Sequence, residues 1–391
     1  MSHIELPEQE NTDLTARRIV QDLELSVEQN SSDLRVSRII EKLKNENLLD
    51  DEISRVKNLF KKEIEGLGNE FTEECWQMLT VLELFDEETA RHCVDTYLIA
   101  KSKVEKQLWS GIRLSDEFNK ESVSLVQFYR ACLLHDLGKV EVPHSVVVNR
   151  ITDEECVKLL FENSGDVLMP ELRKKLGENY SLPEYIKNPD DLLQYLYDEL
   201  HIRPQAVAPV KLLLKQPIAD EVVEQLAHCG CSTEDSLLKI MRTHDEYSKK
   251  ILQRMGLVVE GELAGAHHKH KTDDIKFKIT VGTIQITIDL ADIVHLADVE
   301  NAILSKRHYK EGKTPIDALK ILSLHSKQGF IESYITYLWI ADEMNKINEG
   351  EIDDKDLENF NFIAKFLDEE KNKHLAWPDW RINYRELKTA A

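Results

Sequence analysis

A set of His, Asp and Glu side chains is spaced so that they could share divalent cations. The segment Leu133-Leu134-His135-Asp136-Leu137-Gly138-Lys139 puts a His–Asp pair at the end of an apolar helical stretch, with Gly and Lys following at once. Neighbouring residues on a helix project about 100° apart. Such a pair can grip one ion from two sides while the carboxylate keeps an oxygen for a second. A lone His on an apolar face is usually a packed core residue, but His, Asp and Lys together are costly to bury without a compensating ligand. Upstream, Glu88 and His92 are four residues apart and share a helix face. Downstream come His244, the doublet His267-His268 and Asp298. Imidazole with carboxylate suits iron, manganese, zinc or nickel rather than calcium. His92, His135 and Asp298 are expected to hold one ion and His244, His267 and His268 another, with Asp136 bridging. Glu88 would complete one site or hold a third ion. The expected cofactors are thus two divalent ions, or three, with iron or manganese foremost. Such a pair leaves room for a bridging hydroxide and for substrate oxygens, as two-metal phosphoryl transfer requires.

These residues carry a resemblance. The pattern resembles the HD superfamily of metal-dependent phosphohydrolases, and within it the HD-GYP family of cyclic di-GMP phosphodiesterases. His135-Asp136-Leu137-Gly138-Lys139, followed by Pro143-x-Ser145-Val146, resembles that family's HDxGK and its I-P-x-x-I/L turn. His244 with Ile251-Leu252 resembles its next His element, and His267-His268 the HH of its HHE motif. Ala297-Asp298-Val299-x-x-Ala302, then Arg307-x-Tyr309-Lys310, then Pro315-x-x-Ala318-Leu319, resembles its AD-x-x-DAL…RPYK…P-x-x-AL run. Glu88 and His92 fall where the family has its early ligands. The likeness covers about residues 79–151 and 233–335, and the order and spacing of five motifs make it specific. Asp292 is also preceded by Ala; the distance to Arg307-x-Tyr309-Lys310 selects Asp298.

The departures are equally informative. The family's D-G-x-G-Y-P loop is missing after the His doublet, where the chain reads Lys269-His270-Lys271-Thr272-Asp273-Asp274. The Glu of HHE is Lys269, and the Asp of DAL is Asn301. His295, one helical turn before Asp298, and His270, close to the doublet, could stand behind the ligands; packing or solvation is the expected role of each. The resemblance implies hydrolysis of a cyclic dinucleotide, cyclic di-GMP, as a signalling function. Asp136 and Lys139 would be catalytic, Lys139 as a point charge at the transferring phosphoryl group, and Arg307 and Lys310 would bind a second phosphate. Lys139→Ala is then expected to keep its metals and to slow turnover by about a hundredfold, as loss of one transition-state charge contact does; ion content and rate, measured on one preparation, check it. Two rival expectations are an HD nucleotidase or phosphohydrolase for another phosphoester, and a nucleotide-sensing interaction protein with little turnover.

The elements that must position these residues are helical. In 391 residues there are only 14 Gly and 10 Pro, which argues against a turn-rich β architecture. Hydrophobic residues at 42% supply enough apolar material for a core. The expected fold is all-α, an HD-domain helical bundle with a small β-hairpin over about 275–288. There Ile275, Phe277, Ile279 and Val281, then Ile284, Ile286 and Ile288, alternate with polar residues about Gly282-Thr283. Residues 1–70 read as an N-terminal helical region in which Leu14-x-x-x-Arg18-Ile19-Val20-x-x-Leu23 is echoed by Leu34-x-x-x-Arg38-Ile39-Ile40-x-x-Leu43. These stripes must dock, in a simple bundle or in a homodimer. Residues 71–345 read as the HD-GYP-like catalytic domain, with an insertion at about 152–232 that holds six of the prolines. Residues 346–391 read as a C-terminal helix and tail docked on the core, ending in Trp377-Pro378-Asp379-Trp380.

Charge and cysteines bound the partners. With 50 Lys and Arg against 72 Asp and Glu, the net charge is −22. A chain this acidic is poorly suited to a nucleic-acid polymer or an anionic membrane, so a small phosphodiester or nucleotide substrate needs a metal or local Lys and Arg to receive it. The six cysteines show no disulfide or zinc-knuckle spacing, and no stretch reads as a signal peptide or a spanning helix. A reduced, cytoplasmic protein is expected.

Overall fold

The structure, a computed structural model, describes residues 8–25, 34–106, 113–118, 123–148, 151–200, 202–214, 217–269, 275–281, 284–305, 314–329, 331–346, 354–374 and 377. The fold is all-α, with one hairpin among the described residues. In chain order the helices are α1 (Glu8–Leu25), α2 (Arg35–Asn45), α3 (Leu49–Ile64), α4 (Glu73–Phe85), α5 (Glu87–Glu105), α6 (Ser115–Phe118), α7 (Leu125–Leu134), α8 (His144–Val147), α9 (Asp153–Glu162) and α10 (Met169–Leu176). There follow α11 (Pro189–Asp198), α12 (Val210–Leu213), α13 (Asp220–His228), α14 (Leu237–Met241), α15 (Thr243–Arg254) and α16 (Val258–Ala266). After the strands β1 (Lys276–Val281) and β2 (Ile284–Asp289) come α17 (Leu290–Leu304), α18 (Pro315–Lys327), α19 (Ser333–Met344) and α20 (Asp354–Lys373). None of these helices is long and apolar enough to cross a membrane.

The chain folds as two compact units, each assembled from separated stretches. One takes its described residues from Met1–Glu52 and Leu137–Tyr247, the other from Ile53–Asp136, Ser248–Arg307 and Glu311–Ala391. In the first unit α1 packs on α2. Ala16 and Val20 form the buried stripe of α1, while Leu14 is exposed; Val36, Ile39, Ile40 and Leu43 form that of α2. Arg35 is buried and donates to the Val140 carbonyl at 2.6 Å, and Val36 N–H donates to Glu141 Oε1 at 3.1 Å. These bonds join segments more than a hundred residues apart in sequence. The proline-marked stretch builds its own core, with Cys156, Leu160, Leu168, Leu172, Leu192 and Leu196 fully buried together. Full burial of one such leucine stabilises by about 1.5–3 kcal/mol.

In the second unit α5, α7, α16 and α17 form the central bundle, and α18, α19 and α20 pack beside it. The alternating run does form a hairpin: β1 and β2 pair antiparallel from Lys276↔Asp289 to Val281↔Ile284. That register leaves Gly282-Thr283 as the two-residue connection, and both lie outside the described residues. Asp289 ends the hairpin and caps α17 by accepting from Ala291 N–H at 3.0 Å. Gly261 on α16 permits a close approach to α15, since a Cβ there would stand 3.0 Å from the Lys249 carbonyl oxygen. Trp377 is buried against Tyr334, Tyr337 and His374, while the rest of the aromatic tail, from Pro378 on, lies outside the described residues.

Candidate metal centre

Each side chain of the centre owes its place to a helix end or a helix face in the second unit. α5 begins at Asp86, whose carboxylate accepts from Thr89 N–H at 3.2 Å and from Thr89 Oγ1 at 2.5 Å. This satisfies two donors at the helix start and sets the rotation that buries His92. α7 begins with a capping box in which Ser124 Oγ accepts from Gln127 N–H and Gln127 Oε1 accepts from Ser124 N–H. Its apolar face, Phe128, Ala131, Cys132, Leu133 and Leu134, is buried, so the residue after it is carried into the core. That residue is His135. Its Nδ1 donates to the Cys132 carbonyl at 2.8 Å, and its Nε2 is buried and makes no hydrogen bond. His267 follows α16 in the same manner, with Nδ1 donating to the Ala264 carbonyl at 2.5 Å. An outer hydrogen bond of this kind fixes the tautomer of metal-binding histidines and leaves Nε2 as the donor atom.

Asp298, on α17, is the hub. Its Oδ1 accepts from His92 Nε2 at 2.7 Å and lies 3.8 Å from His135 Nε2, while its Oδ2 lies 4.0 Å from His268 Nε2. Asp136 Oδ2 is 3.5 Å from His135 Nε2 and 3.8 Å from His92 Nε2. One turn beyond Asp298, Asn301 Nδ2 donates to His92 Nδ1 and to the His92 carbonyl, both at 2.9 Å. Asn301 Oδ1 accepts from Ser305 Oγ at 2.6 Å. The amide therefore holds His92 as the Nε2–H tautomer, with that proton aimed at Asp298. Six imidazoles form a continuous row in this unit: His92, His135, His267, His268, His295 and His325, with successive ring centroids 4.0–5.6 Å apart.

The electrostatics favour a cation. Burial works against charge on His135, yet Asp136 beside it and Asp298 nearby outweigh burial, and its pKa is raised well above the ordinary histidine value. Burial likewise opposes ionisation of Asp298, but the neighbouring His135 and the hydrogen bond from His92 hold its pKa well below the usual carboxylate range. For His92 burial dominates and lowers the pKa. Positive charge is thus favoured at His135 beside the buried acids, in the place where a divalent ion would supply more.

Ligand atoms of His92, His135 and Asp298 lie within 4.8 Å of one another, as do those of Cys93, His135 and Asp136. These groups could hold a metal ion. Imidazole nitrogens fixed by carbonyls, a buried Nε2 without a hydrogen bond, and two acids at 3.5–3.8 Å from it are the donor set of a first-row transition metal. Comparisons with family models, curated proteins and solved structures found no match.

The second unit therefore brings together His92, His135, Asp136, His267, His268 and Asp298. Asp292 is placed elsewhere, where its Oδ2 accepts from Glu332 N–H at 2.9 Å at the start of α19. Glu88 is half-exposed in the first turn of α5 and joins none of the ligand groups among the described residues. An acid there is favoured by the helix dipole. His244 and Lys139 belong to the first unit. There His244 repeats the tautomer device, with Nδ1 on the Met241 carbonyl at 2.5 Å and Nε2 2.9 Å from Asp245 Oδ1. Lys139 is half-buried in the 3-10 turn Leu137–Glu141. Arg307, Lys310 and His270 lie outside the described residues. The sequence reading passed over Cys93 and His325. The position of Cys93 next to His92 was the available sign; His325 becomes a neighbour only through the packing of α17 on α18.

Proposed function

We propose that this chain is a metal-dependent phosphodiesterase of the HD type, with cyclic di-GMP as the expected substrate. The observation that carries the reading is the convergence of His92, His135, Asp136 and Asp298, with the buried Nε2 of His135 turned towards both acids. When bound, divalent ions would supply Lewis-acid charge and a water acidic enough to react near neutral pH. The residues would do the rest. His135 and Asp298 would bind, with Asp136 beside them, and the Cys132 and Ala264 carbonyls would keep His135 and His267 in the ligating tautomer. His92 would bind through Nε2 once that proton had passed to Nδ1, and His135, whose pKa is raised, would give its extra proton to solvent on loading, which makes ion uptake dependent on pH. The wholly buried His135 would exclude bulk water from the inner wall of the site. The reaction class comes from the motif resemblance, and so do the roles of Lys139, Arg307, Lys310 and His244.

A second reading, hydrolysis of a mononucleotide or another phosphoester, is favoured by the stretch Lys269–Asp274 standing where the family has its D-G-x-G-Y-P loop. Anaerobic purification with metal analysis, then product identification from cyclic and linear nucleotides with Mn²⁺ or Fe²⁺, tests both. Linear dinucleotide or GMP from cyclic di-GMP supports the first. Turnover confined to other phosphoesters supports the second. Tight nucleotide binding without turnover would make the protein a sensor, and a protein that retains no ion would end the hydrolase reading.

A further inference from the structure

We infer that the second unit holds a cation position of its own on His268, His295 and Asp298, with His325 orienting His295. One ligand atom from each of the three lies within 4.8 Å of the other two. Two atoms bound to one ion at about 2.0–2.1 Å can be no more than about 4.2 Å apart. His268 Nε2 and Asp298 Oδ2 are already within that limit at 4.0 Å, and a small side-chain rotation brings in the third. The rings of His268 and His295 stand edge to face, with centroids 5.6 Å apart and planes at 89°, an arrangement in which two imidazoles reach one point without clashing. Behind His295, His325 Nδ1 lies 3.4 Å from His295 Nε2. An outer-shell partner of this sort fixes the orientation of a ligating ring.

The two oxygens of Asp298 separate this position from the centre built on His92 and His135. Oδ1 faces His92 at 2.7 Å, and Oδ2 faces His268. A carboxylate so placed bridges two ions. His295 lies outside the motif. It lies three residues before Asp298 and so on the same face of α17, while His325 comes from α18. Two imidazoles and a carboxylate select a first-row ion such as Zn²⁺ over Mg²⁺ or Ca²⁺. The inference rests on the proposed hydrolytic centre for Asp298 and His268 and adds His295 and His325 to it.

The test is ion stoichiometry in the full chain. Ion-stripped parent, His295→Ala, His295→Gln, His325→Ala and His92→Ala proteins are dialysed against Zn²⁺ and analysed for zinc, with circular dichroism as the check on folding. His295→Ala should hold one ion fewer than the parent, and His295→Gln should repeat that loss if the alanine variant misfolds. His325→Ala should bind the same ion about tenfold or more weakly. Co²⁺ loading should show the same difference as reduced visible absorption. A folded His295 variant with the parent's zinc content and affinity overturns the inference. Loss of one ion in His295→Ala, together with full retention in His92→Ala, would uphold this position and remove the proposed hydrolytic centre. A parent that binds no zinc overturns both.

Discussion

Adding Zn²⁺ or Mn²⁺ to the ion-stripped protein at pH 8 is expected to raise its melting temperature by about 3 °C. At an ion concentration a hundred times Kd, binding to the folded state alone contributes about 2.7 kcal/mol. For a chain of this size, each kcal/mol moves the transition by about 1.2 °C. The gain should grow with pH, and the sign follows from His135. Its folded-state pKa is raised above the unfolded value because Asp136 and Asp298 outweigh its burial. Its contribution is therefore fully present below about pH 6.5 and is lost as pH rises through the folded value. The stripped protein loses its internal positive charge in that range, and the ion restores it. His92, whose pKa burial lowers, acts in the opposite sense: its unfolded form takes a proton as pH falls below about 6.5 and its folded form does not. Thermal scans with and without ion at pH 6, 7 and 8 check this. An ion-induced shift that is the same at all three, or absent, would sink it.

Replacing Asp298 by Ala is expected to abolish ion retention and to destabilise the stripped protein by about 3–5 kcal/mol, the usual cost of breaking a buried pair by removing one partner. The side chain is buried, it accepts from His92 at 2.7 Å, and it lies 3.8 Å from His135 Nε2. Its loss leaves the His92 Nε2–H without an acceptor and removes a ligand from each group to which it belongs. Asp298→Asn keeps the shape and a carbonyl oxygen for His92, so it should fold nearly as well as the parent while binding ions at least about a hundredfold more weakly. Elemental analysis and calorimetry on the three proteins separate loss of binding from loss of fold. Parent-like ion content in Asp298→Ala would show that the hub is dispensable.

Local patterns carried much of the fold. The apolar helical stretch that leads into His135 is α7, and the two echoed stripes of the N-terminal region lie along α1 and α2. The period-two run became β1 and β2 in the expected register. A helix or a tight hairpin is decided by neighbours a few residues away, and these segments show it. The assembly of the first unit from separated stretches depends instead on long-range pairing. Arg35 with the Val140 carbonyl, and Val36 with Glu141, tie α2 to residues more than a hundred positions on, and no composition change announces such a bond. The same division applies to the site. His135, Asp136 and Asp298 stood in recognisable strings; Cys93 had only its place beside His92 to mark it, and His325 gains meaning only from the packing of α17 on α18. Asn301 was visible as a substitution in the motif; its bond to His92 Nδ1 was not.

The two ways of orienting imidazoles in this protein differ in how they tolerate genetic drift. His135 and His267 are steered by the main-chain oxygens of Cys132 and Ala264, and every amino acid at those positions brings the same oxygen. Only a change that unwinds the last helical turn can remove it. His92 is steered by one amide side chain, Asn301, which a single codon change can erase. Among diverging copies of this chain, the posture of His92 is the first that random substitution would loosen, while those of His135 and His267 would outlast most replacements around them.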